Sequence, residues 1–207
     1  MVKYRVGIDP GKTNLGISFY DPVAKTSKLC HVDLTRFNGK KWARNEEDYD
    51  ELIHAVCDKY KELFKKSDYV GVERLPKTVK STEGKMVETN KEVKVIMYKL
   101  VTIIGMTFSN LKVFYISPVA VRSFMKTSAR TYPARKRKSV ELSLIPDAEL
   151  YELNEKFKKQ KKPITDIVEA THIAIYLSCN IKKILAVKKK TNLGVETLEM
   201  TVSLMLF

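Results

Sequence analysis

Glycine is scarce in this chain, with only 8 in 207 residues. So few disfavour a duplicated fold that cradles phosphate in two glycine-rich loops, and no second loop of that kind is present. Cysteine is sparse and odd in number: Cys30, Cys57 and Cys179 lie far apart and form no Cys-x-x-Cys pair. That pattern reads as reduced core thiols in an intracellular protein. His31, His54 and His172 are too dispersed to make a zinc site by spacing. No apolar run reaches the roughly 18 residues of a spanning helix. Neither end carries a lipidation signal, and the N-terminus enters a strand too soon for a signal peptide. Repeats and a splitting linker are also lacking, so residues 1–182 read as one domain and 183–207 as a tail of unassigned role. Acidic residues are too few: 24 Asp and Glu against 38 Lys and Arg leave a net charge of +14. Such an excess fits a polyanionic partner, nucleic acid before an anionic membrane surface.

What is present is an ordered succession of short apolar runs and longer amphipathic ones. Val6-Gly7-Ile8-Asp9-Pro10-Gly11 drives into an aspartate and a turn, and Leu15-Gly16-Ile17-Ser18 returns. Strands are expected over 3–9, 14–20 and 27–33, followed by a polar loop at 34–43. Tyr49, Leu52, Ile53, Val56, Tyr60, Leu63 and Phe64 recur at helical spacing, which predicts one helix from an Asn45 N-cap to Lys66. A strand over 68–73, a polar loop at 75–89, a helix at 90–109 and a strand at 111–116 come next. Ser117-Pro118 opens a short helix, and a long helix is expected from 164 or 165 to about 181. The two strand–helix–strand passes imply parallel strands added to an antiparallel meander. A strand is the reading for Thr197–Phe207.

Asp9 and Glu73 each close a strand, and in a mixed sheet such ends converge where ligands commonly bind. Asp166 and Glu169, three apart in the first turn of the last helix, share a helical face. Four carboxylates brought together repel one another unless cations lie among them. Oxygen-only ligands suit a hard ion such as Mg²⁺, and two such ions can clamp both oxygens of an in-line phosphodiester displacement. Each residue also has a plainer reading. Glu73 can be a solvated strand end, Asp9 ordinary turn chemistry, and Asp166 and Glu169 acids that satisfy a helix dipole. Only their combination with a basic chain favours hydrolysis.

Arg122, Lys126, Arg130, Arg135, Lys136, Arg137 and Lys138 form a basic stretch suited to phosphate contacts without base readout. A nuclear-localisation patch or a solvated face would use the same residues. Tyr132 is a candidate stacking platform. Lys156, Lys158, Lys159, Lys161 and Lys162 lie just before the acidic helix, where they either lengthen the phosphate track or solubilise a basic loop. Val93, Ile96, Met97, Leu100, Val101, Ile104 and Met106 make the 90–109 helix either a dimer surface or a core crossover.

In this order, Gly-Ile-Asp9-Pro-Gly, Val-Glu73-Arg-Leu-Pro and Asp166-x-x-Glu169-Ala170 resemble the RuvC-like Holliday junction resolvases of the RNase H-like superfamily. Ile116-Ser117-Pro118 and the segment Tyr132–Glu141 are most similar to the poxvirus-type members. The resemblance spans residues 4–180. It implies an α/β RNase H-like fold with a five-stranded mixed sheet flanked by helices. It further implies a homodimer that cleaves four-way DNA junctions with Mg²⁺ or Mn²⁺, two ions per active site, and, for a viral protein, residence in the host cytoplasm. Asp9, Glu73, Asp166 and Glu169 take the metal positions. Lys136 and Lys138 fall in the segment that contacts phosphate near the active site, and Lys138 joins the carboxylates in the catalytic set. Family members usually carry aspartate where this chain has Glu169, whose extra methylene moves the carboxylate by ~1.5 Å. Two other functions compete: a non-catalytic nucleic-acid-binding module, and an ASKHA-type phosphotransferase sharing the opening motif.

Overall fold

A computed structural model describes residues 3–11, 13–37, 40–41, 46–75, 78–80, 86–88, 91–159 and 164–190. The chain starts with a meander, β1 (Tyr4–Pro10), β2 (Asn14–Asp21) and β3 (Thr26–Asp33), and a ribbon of β4 (Arg36–Phe37) and β5 (Lys40–Lys41). Helices α1 (Glu46–Lys59) and α2 (Lys61–Lys65) lead to β6 (Ser67–Glu73) and a second ribbon, β7 (Thr78–Lys80) and β8 (Met86–Glu88). Helix α3 (Lys91–Thr107), β9 (Lys112–Ile116), α4 (Pro118–Phe124), α5 (Tyr132–Glu141), α6 (Asp147–Lys159) and α7 (Thr165–Lys190) complete it. The main sheet is five-stranded, in the order β3-β2-β1-β6-β9. Its first three strands pair antiparallel, while β6 and β9 add in parallel. This is the mixed α/β sheet flanked by helices expected from the sequence.

The alternation of side chains along each strand gives the sheet two unlike faces. Val6, Ile8, Leu15, Ile17, Phe19, Val70 and Val72 all point one way and are fully buried against α1, α2 and α3. Phe64 anchors that layer, 5.0 Å from both Phe19 and Phe108 between ring centres. On the opposite face the same strands present Gly7, Asp9, Gly16, Ser18, Gly71 and Glu73. Helix α7 lies across this face. A Cβ at Gly16 would collide with the Asp166 carbonyl, and one at Gly7 with the Ala170 carbonyl. The two glycines thus admit the helix backbone itself.

Several expectations are corrected. The single helix of 45–66 breaks at Tyr60, whose φ of −107° and ψ of 16° leave the helical region. Its carbonyl accepts the amides of both Leu63 and Phe64, a tight turn ahead of the buried Phe64. The loops at 34–43 and 75–89 contain the β4–β5 and β7–β8 ribbons. The basic loop before the last helix is α6 as far as Lys159; Leu150 and Leu153 pack it against Ile145, Ile164, Ile167 and Val168. Helix α7 runs on to Lys190 because Ile181, Ile184 and Leu185 continue its apolar stripe onto Phe114, Ile116 and Val121. The boundary drawn at 182 therefore falls inside α7. Of the α3 stripe, only Met106 is exposed, at 74%; Val93, Ile96, Met97, Leu100, Val101 and Ile104 are buried, so α3 is a core crossover. Cys30 and Cys57 are buried, but Cys179 is exposed. Among the described residues no helix is long and apolar enough to cross a membrane. The Asn45 cap, Lys161, Lys162 and the 197–207 strand lie outside the described residues.

Candidate active site

Register places the first two carboxylates side by side. Ile8 pairs with Val72 in the parallel β1–β6 ladder, so Asp9 and Glu73 follow on neighbouring strands and on the same face. Asp9 also pairs with Gly16 of β2, the residue over which the first turn of α7 passes. Asp166 and Glu169 thereby reach the same place from the helix. A cleft of about 170 Å³ is lined by Asp9, Glu73, Asp166 and Glu169, and by Arg122, Tyr132, Arg135 and Lys136 on its basic side.

The electrostatics of this group are those of crowded anions. Burial pushes Asp9 well above the ordinary carboxylate range, and Glu73 and Glu169 push it further. Burial, then repulsion by Glu169, raises Glu73 to about 7, with Arg122 opposing. Burial raises Asp166, with Lys136 opposing. Two cations answer them. Arg122, in the last turn of α4, stands 3.9 Å from Glu73. Lys136, from α5, hydrogen bonds to Glu169 and stands 3.9 Å from Asp166. Burial alone would lower the Lys136 ammonium, but Glu169 and Asp9 hold it above its ordinary value.

Helix α5 positions Lys136. Thr131 caps its start, accepting the Ala134 amide at 3.4 Å, and Pro133 stands in the first turn. One turn beyond Lys136, Ser139 is buried with its hydroxyl 3.3 Å from Nδ1 of His172 on α7. His172 stands three residues beyond Glu169, and burial drives its ring down to about 4. Two stacked contacts therefore join the helices, Lys136 to Glu169 and Ser139 to His172. Spacing excludes His172 as a zinc ligand but gives it no packing role; the matching i, i+3 spacing of 136/139 and 169/172 is the signal that could have found one.

The other basic residues are distributed more widely. Arg135 lines the cleft, and its guanidinium stands 5.7 Å from the ring centre of Tyr132. Tyr132 is 61% exposed on the rim. Lys126, Arg130 and Arg137 face solvent. Lys138 turns away from the carboxylates, donating to the Ser128 carbonyl at 3.4 Å. Residues two apart on a helix point to different sides, so Lys136 and Lys138 cannot both enter the cleft.

The donor set fits a hard divalent cation: four carboxylates line the cleft, with no sulfur or imidazole ligand. As the side chains stand, among the described residues no group of three or more His, Cys, Asp and Glu is arranged to hold a metal ion. The Lys136 ammonium lies within the acidic group instead.

No family model and no curated protein matches the sequence. Among solved structures, the chain is similar to T. thermophilus RuvC in complex with a Holliday junction substrate. The TM-score is 0.51 at 12% identity, over 87% of this chain and 96% of that one. A likeness at that identity speaks for architecture. The chain has the RNase H-like α/β fold seen in RuvC, and its acidic cleft opens where β1, β6 and α7 meet.

Proposed function

We propose that this chain is a structure-selective endonuclease that cleaves four-way (Holliday) DNA junctions by metal-dependent phosphodiester hydrolysis. The observation that carries the reading is the convergence of Asp9, Glu73, Asp166 and Glu169 in one cleft with a basic rim. Those four residues would hold Mg²⁺ or Mn²⁺. Two such ions, when bound, supply neutralisation of the developing charge and activation of the attacking water. The remaining residues bind and orient the substrate. Arg122 and Arg135, at the cleft, meet the phosphate flanking the cut, and the exposed Lys126, Arg130 and Arg137 extend the backbone track. Tyr132 offers its exposed ring to a sugar or base at the rim. Lys138 belongs to the outer phosphate track in this reading, with Lys136 as the lysine of the centre.

Within the resolvases we favour the poxvirus type, on Ile116-Ser117-Pro118 and Tyr132–Glu141, and with it a homodimer and a viral source. Light scattering at micromolar concentration checks the dimer; a monomer contradicts it. Incubation with a labelled four-way junction and Mg²⁺ tests the activity. Symmetric nicks that Asp9→Asn abolishes are expected, and no cleavage, or cleavage indifferent to that change, rejects it. The lysine inside the acidic group favours one second reading, a nucleic-acid-binding module without hydrolysis. That reading expects tight junction binding with no Mn²⁺ uptake by calorimetry.

A further inference from the structure

We propose that Lys136 is the resident counter-cation of the carboxylate centre and that it competes with the divalent metal for the same charge. The inference rests on the reading of Asp9, Glu73, Asp166 and Glu169 as a metal site.

The Lys136 ammonium hydrogen bonds to Glu169 and stands 3.9 Å from Asp166, so it engages both helical carboxylates. Arg122 attends the strand side of the group, 3.9 Å from Glu73. Lys136 pairs with the helical carboxylates and also acts electrostatically on Asp9, whereas Arg122 stands by Glu73. Lys136 is more enclosed than a solvating lysine, with its side chain 18% exposed. An ammonium so placed replaces lost hydration for Glu169 and Asp166 and keeps crowded anions from expelling one another. A divalent ion on the same oxygens meets a positive charge already seated there.

The fold holds Lys136 in place by more than the ion pair. Ser139 against His172 is the next rung of the α5–α7 contact, and the Thr131 cap fixes where α5 begins. Withdrawing the ammonium therefore needs only side-chain rotation, with α5 left docked. Lysine suits such a withdrawal, because its four-carbon stem is flexible and its charge is a compact point, whereas an arginine fork would bind the carboxylates in fixed geometry. Lys136 lowers metal affinity in exchange for a stable metal-free protein.

The test is calorimetric titration of Mn²⁺ into the full chain, for wild type, Lys136→Met and Lys136→Arg, with thermal melting in EDTA. Lys136→Met is expected to bind Mn²⁺ at least about tenfold more tightly, the scale of one unit charge removed a few ångströms away at a partly buried site. It should melt lower in EDTA and gain more from Mn²⁺ than wild type does. Lys136→Arg, which keeps the charge, should retain wild-type affinity or bind Mn²⁺ more weakly. Lys136→Gln makes the same comparison if the methionine variant does not fold. Mn²⁺ binding by wild type that is unchanged or weakened in the neutral variants overturns the inference and leaves the proposed nuclease standing. No Mn²⁺ binding by any of the proteins overturns both.

Discussion

The two faces of the central sheet follow opposite rules. Toward α1, α2 and α3 the strands present Val6, Ile8, Leu15, Ile17, Phe19, Val70 and Val72, large side chains at zero exposure. Toward α7 the same strands present three glycines, a serine and two carboxylates. The first face stabilises by volume. The second gives up that volume so that a helix backbone can lie on the sheet and bring Asp166 and Glu169 down to Asp9. Neighbouring positions in one strand therefore serve unrelated ends: Ile8 holds the fold, and Asp9 gathers charge that burial makes unfavourable. The large aliphatic layer of β1, β2 and β6 lies on one side of the sheet, and the crowded charges of the proposed active site lie on the other, beside the smaller cluster that α7 makes with β9.

The largest effect should come from breaking the aliphatic side. Phe64→Ala removes a fully buried ring and is expected to cost about 4 kcal/mol. Denaturant unfolding measures it, and Mn²⁺ affinity of the remaining folded protein should be unchanged. Gly16→Ala attacks the other side. Its methyl meets the Asp166 carbonyl, lifting the start of α7 at a cost of about 3 kcal/mol, and here Mn²⁺ affinity should fall together with stability. The contrast between these two variants is the sharpest check that the faces are separable.

A smaller effect follows from the raised carboxyls. Glu73 sits at about 7, against an ordinary 4.5, because of burial and Glu169. The folded protein then holds a proton that the unfolded chain releases near 4.5. Stability from that proton is full below about 4.5 and is lost as pH rises through about 7. Melting temperature in EDTA should fall between those values, and Mg²⁺ should restore it most at the upper end. Glu73→Gln should flatten the profile. The smallest change is expected at the periphery: Arg137→Ala, on an exposed site, should leave melting unaltered and lower the salt slope of DNA binding by about 1.

How much of the molecule is legible in the sequence depends on how local each signal is. Asp9 and Glu73 can be found because each ends an apolar strand, and Asp166 and Glu169 because they share a helical turn. The sheet follows from strand lengths and connections. Lys136 and Lys138 cannot be told apart, since which enters the cleft depends on the phase of α5, set by Thr131 and by the burial of Ser139 on His172. Helix α6 is hidden because Leu150 and Leu153 are a weak stripe until Ile145 and Ile164 supply the surface they pack on. The end of α7 is hidden because its last apolar residues answer to β9 and α4, distant in sequence. Gly7 and Gly16 are visible as residues, but that they make room for a helix emerges only from the register.

A crystal structure with Mn²⁺ would show whether the four carboxylates share metal ions and whether Lys136 gives way to them. Anomalous density is expected among Asp9, Glu73, Asp166 and Glu169, with the Lys136 ammonium withdrawn from Glu169. A fully soaked crystal in which Lys136 still pairs with Glu169 and no ion lies between the carboxylates would contradict the proposed metal site.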